Sequence, residues 1–127
     1  MDMRIVSWNC NGALRKKLDQ LLKLDADIYV VQECEDPSQC NDVHYKAWAV
    51  NYLWVGKSKN KGLGVFSRKE NLLTPLEWEA DGLESFLPCR INNDTTLLAI
   101  WTREANSPTF RYIGQFWKYL QKHKAKL

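Results

Sequence analysis

With 127 residues, 45% of them hydrophobic and 26% charged, the chain has the length and make-up of one ordinary globular unit, long enough to bury a core. A net charge of +3 permits a phosphate-bearing partner without demanding one. No apolar run is long enough to cross a bilayer and no signal core precedes the first strand, so a cytoplasmic protein with no membrane partner is expected.

The run Ile5-Val6-Ser7-Trp8-Asn9-Cys10-Asn11-Gly12 is β-branched and aromatic, then abruptly polar, the pattern of a buried strand that delivers functional groups to a sheet edge. Asn11-Gly12 supplies a turn and cap. Leu14, Leu18, Leu21 and Leu22 then recur at helical spacing, with Arg15, Lys16, Lys17 and Lys23 turned away, which predicts a helix packed on the sheet. Asp25-Ala26-Asp27 ends it, and Ile28 to Val31 is a second strand running into Gln32-Glu33. A strand, a helix and a strand this close make a βαβ unit with parallel strands. Asn9, Asn11, Gln32 and Glu33 should therefore converge at the carboxyl ends of two near-neighbouring strands, where open α/β sheets bind ligands.

From Glu33 to Tyr45 the sequence is polar and turn-rich, a loop with at most one helical turn. Lys46 to Val50 and Tyr52 to Val55 read as one long strand or two short ones. The segment 57–62, with Lys57, Lys59 and Lys61, reads as a basic turn before the strand Leu63 to Ser67. Further strands are expected at Leu72 to Glu77, Glu84 to Ile91 and Thr96 to Trp101, with Asn92-Asn93-Asp94 as a turn. A last helix is predicted over Thr109 to Lys126, with Phe110, Ile113, Phe116, Trp117 and Leu120 on its apolar stripe and lysines near its end. No repeat or linker interrupts the chain, so one structural unit over 1–127 is expected. Cys10, Cys34, Cys40 and Cys89 lack paired metal-ligand spacing and read as reduced thiols.

Trp8-Asn9-Cys10-Asn11-Gly12 followed by Gln32-Glu33, with Gly62-Leu63-Gly64-Val65-Phe66-Ser67 downstream, resembles the endonuclease/exonuclease/phosphatase superfamily, which includes exonuclease III, deoxyribonuclease I and inositol-polyphosphate phosphatases. The resemblance implies an α/β fold in which a mixed β-sheet is flanked by helices, here the N-terminal half of a four-layered sandwich. It also implies a Mg2+-dependent phosphodiesterase or phosphatase, with Mn2+ as a substitute that favours the same oxygen ligands. Glu33 matches the principal metal ligand, and Asn9 the residue that holds the metal-side network or a phosphate oxygen. Asn11 stands where many members carry Asp, so it keeps an acceptor oxygen but no charge. Trp101-Thr102 stands where relatives of exonuclease III carry a Tyr; Trp can stack on a base but offers a phosphate no hydroxyl. Trp101, Thr102 and Lys61 are the candidate substrate contacts.

Plainer readings exist for each of these residues. Asn9 and Asn11 can simply cap the turn into the helix, Glu33 can be a solvated strand-end carboxylate beside Glu35 and Asp36, the lysines can mark a solvated hairpin tip, and Trp101 can complete the core.

The Gly-Asp-x-Asn and terminal Ser-Asp-His motifs of the superfamily's second half do not occur, and neither His44 nor His123 lies in a matching context. The expectation is therefore the N-terminal part of a nuclease-like phosphoester hydrolase acting on nucleic acid or another phosphate ester, inactive by itself. Its exposed sheet face would meet the missing second half or a second copy. Two alternatives remain: a noncatalytic binding module that keeps the half-fold, and a small α/β protein of unrelated function.

Overall fold

Strand β1 (Ile5–Asn9), helix α1 (Leu14–Leu22) and strand β2 (Ile28–Cys34) form the expected βαβ unit, with β1 and β2 parallel and adjacent from the pair Ile5 and Ile28 to the pair Asn9 and Gln32. A computed structural model of the chain describes residues 3–77 and 86–101. Thr102 and the helix expected over 109–126 lie outside the described residues. After β2 come a 3-10 turn (Pro37–Gln39), helix α2 (Val43–Trp48) and the strands β3 (Tyr52–Ser58), β4 (Lys61–Ser67), β5 (Leu73–Pro75), β6 (Phe86–Ile91) and β7 (Thr95–Ile100). They make a mixed sheet in the order β1-β2-β4-β3 and an antiparallel sheet in the order β5-β6-β7.

Side-chain alternation along β2 divides the core in two. Tyr29 and Val31 point to one face, where they pack with Leu14, Leu21, Tyr45 and Phe66 beneath the helices. Ile28 and Val30 point to the other and join Leu63, Val65, Cys89, Ile91 and Ala99 between the two sheets. Helices, mixed sheet and second sheet thus form consecutive layers, and the mixed sheet is covered on both faces. The unpartnered sheet face expected from a half-sandwich is not this one.

Helix α2 departs from the sequence reading, which had loop to Tyr45 and strand from Lys46. Asp42 caps it, its Oδ1 accepting the Tyr45 N–H at 2.9 Å. Tyr45 and Trp48, three apart, then share one helical face and stack on each other; Trp48 also stacks on Phe66, with centroids 4.7 Å apart, and Tyr45 meets Phe66 at a tilt. Burial of that aromatic face outweighs the strand preference of a short run such as Lys46 to Val50. The basic turn is also tighter than expected. Ser58 pairs with Lys61, leaving Lys59 and Asn60 as the hairpin loop and putting Lys61 on a strand. Gly62 is obligatory on that strand because the Trp54 indole lies across it, in the space a Cβ would occupy.

The cap of α1 is the second departure. Neither Asn11 nor Gly12 caps it; the N-cap is Ala13, in the left-handed conformation at φ 52° and without a capping side chain. The cap comes from a distant residue instead. Glu35, 4% exposed, accepts the Leu14 N–H through Oε1 at 2.9 Å and pairs through Oε2 with the Arg15 guanidinium at 2.7 Å. A buried carboxylate at a helix N-terminus satisfies an orphan donor and meets the positive end of the helix dipole. The backbone carbonyl of Glu35 is held in turn by the Tyr45 hydroxyl, which donates at 2.7 Å. Glu35 thereby ties α1, β2 and α2 together. Replacing Glu35 by Ala is expected to cost about 2–3 kcal/mol of stability by urea unfolding, the loss of a charged cap with an unpaired N–H left behind. A loss within 0.5 kcal/mol or so would mean that water replaces the cap freely.

All four cysteines are free, and Cys10, Cys34 and Cys89 are buried. Burial raises all three thiols, with Cys89 pushed up to about 11, and it raises the Tyr45 hydroxyl as well. The folded state thus holds these protons more tightly than the unfolded chain does. Their contribution to stability is complete below the ordinary thiol value of about 8.5 and is lost as pH rises through the folded values. Thermal melting should accordingly be insensitive to these groups up to about pH 8.5 and fall steadily above it. Native thiol labelling at pH 8 should modify half-exposed Cys40 well before the other three.

Candidate metal and phosphate site at the strand ends

The geometry of the strand ends follows from one irregularity in β2. Gln32 pairs with Leu63 and Cys34 with Gly62, so Glu33 is an extra residue opposite no partner, a β-bulge. Strict alternation would turn Glu33 toward the helices. The bulge gives that place to Cys34, which is fully buried in the helix-side core. Glu33 takes the left-handed backbone conformation at φ 62°, which costs a residue with a Cβ about 1–2 kcal/mol. Its carboxylate, 20% exposed, meets Lys61 of β4, with Oε1 and Nζ 3.4 Å apart.

Around Glu33 the other predicted residues fall into place by register. Asn9 is the β1 partner of Gln32, on the face turned toward the second sheet. Two bonds pull the β1 end onto the bulge: Cys10 N–H donates to the Gln32 carbonyl at 3.1 Å, and the Cys10 thiol donates to the Glu33 carbonyl at 3.3 Å. The Asn9 amide oxygen accepts the Asn11 N–H at 3.0 Å, an Asx turn that shapes the left-handed run Asn11, Gly12 and Ala13. This turn is the structural duty that the plainer reading assigns to Asn9, and it uses one of the two lone pairs on that oxygen. Asn11 is exposed at the turn, and its backbone rather than its side chain makes that bond.

Gln32 has a larger part than its sequence suggested. Its side-chain amide donates to Ser7 Oγ at 3.0 Å and to the Ile100 carbonyl at 3.1 Å, joining the end of β7 to the β1/β2 end. Trp101, the next residue, is partly buried against the core between the sheets. The structure therefore brings Asn9, Gln32, Glu33 and Lys61 to one strand-end surface, ties the chain just before Trp101 to it, and leaves Thr102 outside the described residues. The missed residue is Glu35. It entered the sequence reading only as a neighbour of a solvated Glu33, and it lies just beyond the end of β2, buried at the start of α1.

A hard divalent cation fits this donor set. Glu33 offers a carboxylate, Asn9 an amide oxygen with a remaining lone pair, and the Glu33 carboxylate already attracts a cation, the Lys61 ammonium. Mg2+ requires few protein ligands because it keeps most of its waters. Among the described residues no cluster of three or more His, Cys, Asp or Glu side chains with metal-binding geometry occurs, and Glu33 and Asn9 are the residues that would hold such an ion.

No protein-family model matches the sequence. No curated protein matches it either. Among solved structures, an AP endonuclease from Archaeoglobus fulgidus is similar over 95% of this chain and 52% of that one, with a TM-score of 0.64 and 18% identity. The 3' phosphatase NExo from Neisseria, bound to a product DNA hairpin, is similar over 98% of this chain and 50% of its own, with a TM-score of 0.56 and 20% identity. The 3'-5' exonuclease NExo from Neisseria meningitidis gives a TM-score of 0.56, 19% identity and 98% and 50% coverage. The chain therefore has the α/β fold implied by its motifs and spans about half the length of these proteins.

The left-handed backbone at Glu33 makes a sharp expectation. Glu33→Gly should be at least as stable as the wild type in urea, whereas β-branched Glu33→Val should lose about 1–2 kcal/mol. Equal stability of the two variants would mean that the bulge relaxes to an ordinary strand.

Proposed function

We propose that this chain is the N-terminal part of a divalent-metal-dependent phosphoester hydrolase, a nuclease-like enzyme acting on nucleic acid. The observation that carries the reading is the bulge that turns Glu33 out of β2 onto the surface shared by Asn9, Gln32 and Lys61. A carboxylate held at a strained backbone position is a feature characteristic of functional sites. Support also comes from the fold neighbours, an AP endonuclease and a 3' phosphatase bound to DNA. The four free thiols agree with a reducing, cytoplasmic setting.

In this reading Glu33 is the metal carboxylate, and the Asn9 amide completes part of the shell or holds a phosphate oxygen. When bound there, Mg2+ or Mn2+ would supply positive charge to the phosphate oxygens of a substrate. Lys61 supplies a mobile positive charge to a phosphate, Gln32 fixes the strand ends, and Trp101 offers a flat face to a base or sugar. Asn11 contributes through the turn that positions Asn9. The base that activates water belongs to the second half of a complete enzyme, so the chain alone should hydrolyse nothing measurable. That second half, or a second copy of the chain, is the protein partner.

Titration with Mn2+ tests the metal centre directly. Paramagnetic broadening should spread from the amides of Asn9 and Glu33, and Glu33→Gln should abolish it. Broadening that starts elsewhere, or persists in Glu33→Gln, would sink the assignment. Binding of a DNA duplex should weaken with salt, and Lys61→Ala should lower the slope of log K against log salt by about 1. Salt-dependent nucleic-acid binding that ignores both Mn2+ and Glu33 would instead leave a noncatalytic binding module.

A further inference from the structure

We propose that Lys61 is a resident counter-ion of Glu33, which a divalent cation must displace before the site is loaded. The inference rests on the reading of Glu33 as the metal carboxylate and adds the step by which that carboxylate becomes available. Three observations converge on it. The bulge leaves Glu33 beside β4, one residue from the Cys34 and Gly62 pair, and Lys61 is the residue that reaches it, at 3.4 Å. The route of the lysine is also built. Gly12 is buried at φ 84°, and a Cβ there would be in ordinary contact with Lys61 Cε at 3.5 Å, so the aliphatic stem runs beside the turn after β1. Finally, the lysine side chain remains 53% exposed, against 20% for Glu33. Such an ammonium is attracted but not locked, and it can leave without unpacking anything.

An ammonium and a divalent ion repel each other when both sit against one carboxylate. Metal entry therefore expels the Lys61 head, and the freed charge is left beside the metal, where a phosphate would arrive. Lys61 and metal are competitors for Glu33, while Lys61 and phosphate are complementary. A lysine that merely decorated the hairpin would show neither relation.

The experiment compares Mn2+ affinity, by paramagnetic broadening of the Asn9 and Glu33 amides, in the wild type, Lys61→Met, Lys61→Arg and Glu33→Gln. Lys61→Met keeps the stem and removes the charge, and should bind Mn2+ about three- to tenfold more tightly, the change expected from releasing one partly exposed ion pair and its repulsion. Lys61→Arg keeps a cation and should not gain. On adding diamagnetic Mg2+, the Lys61 ε-methylene signal should move in the wild type and stay fixed in Glu33→Gln. Equal or weaker Mn2+ binding in Lys61→Met, with binding still abolished in Glu33→Gln, would overturn the counter-ion role and leave the metal centre standing. Binding undiminished in Glu33→Gln would remove the metal centre and the counter-ion role together.

Discussion

A single extra residue in β2 governs which way the Glu33 carboxylate faces. In a regular strand Glu33 and Glu35 lie on the same side, because side chains alternate with a period of two. The bulge at Glu33 breaks that parity. One carboxylate goes to the surface beside Asn9 and Lys61, and the other goes under the helices to cap α1. The same shift sends Cys34 into the helix-side core, where its carbonyl accepts the Trp54 indole N–H at 3.1 Å and fixes the hairpin that carries Lys61. Without the bulge, Glu33 would turn toward the helices and the strand-end surface would lose its acid.

Local strain is concentrated around this point. Asn11, Ala13 and Glu33 all have left-handed backbones, with Gly12 between the first two. Conformations of this kind persist only where surrounding contacts hold them. Here the holders are identifiable: the Asn9 amide oxygen for the turn, Glu35 for the start of α1, and the Cys10 amide and thiol for the bulge. The turn is held locally, by a residue two positions from Asn11, whereas the Glu35 and Cys10 side-chain contacts act across 21 and 23 residues and bring the tertiary fold to bear on the strained site.

Much of this was legible in the sequence, for reasons that differ by element. The βαβ unit is announced by local signals, a β-branched run, a leucine stripe and a second β-branched run, and its parallel pairing follows from the helical crossover between the strands. From that, the meeting of Asn9 with Gln32 and Glu33 follows by register alone. The Asn92-Asn93 turn is equally local, since Asn tolerates the left-handed conformation found at both residues. What escaped depends on long-range geometry. Helix α2 is too short to show a period, and only the aromatic pocket formed by Tyr29, Tyr52 and Phe66 makes a helical spacing of Tyr45 and Trp48 worthwhile. The bulge has no composition of its own, because left-handed Glu is a compromise that sequence preferences argue against. With the bulge hidden, the contact of Lys61 with Glu33 was hidden too, and the cap by Glu35 depends on a contact across 21 residues that no local pattern announces.

The link from the Gln32 amide to the Ile100 carbonyl spans 68 residues. A polypeptide emerges from the ribosome N-terminus first, so Asn9, Glu33 and Lys61 are all synthesised well before β7 exists. Until residue 100 arrives, the Gln32 side chain lacks its second acceptor and the seam between the sheets is open. Completion of the second sheet and fixing of the strand ends are therefore one event in the life of the nascent chain.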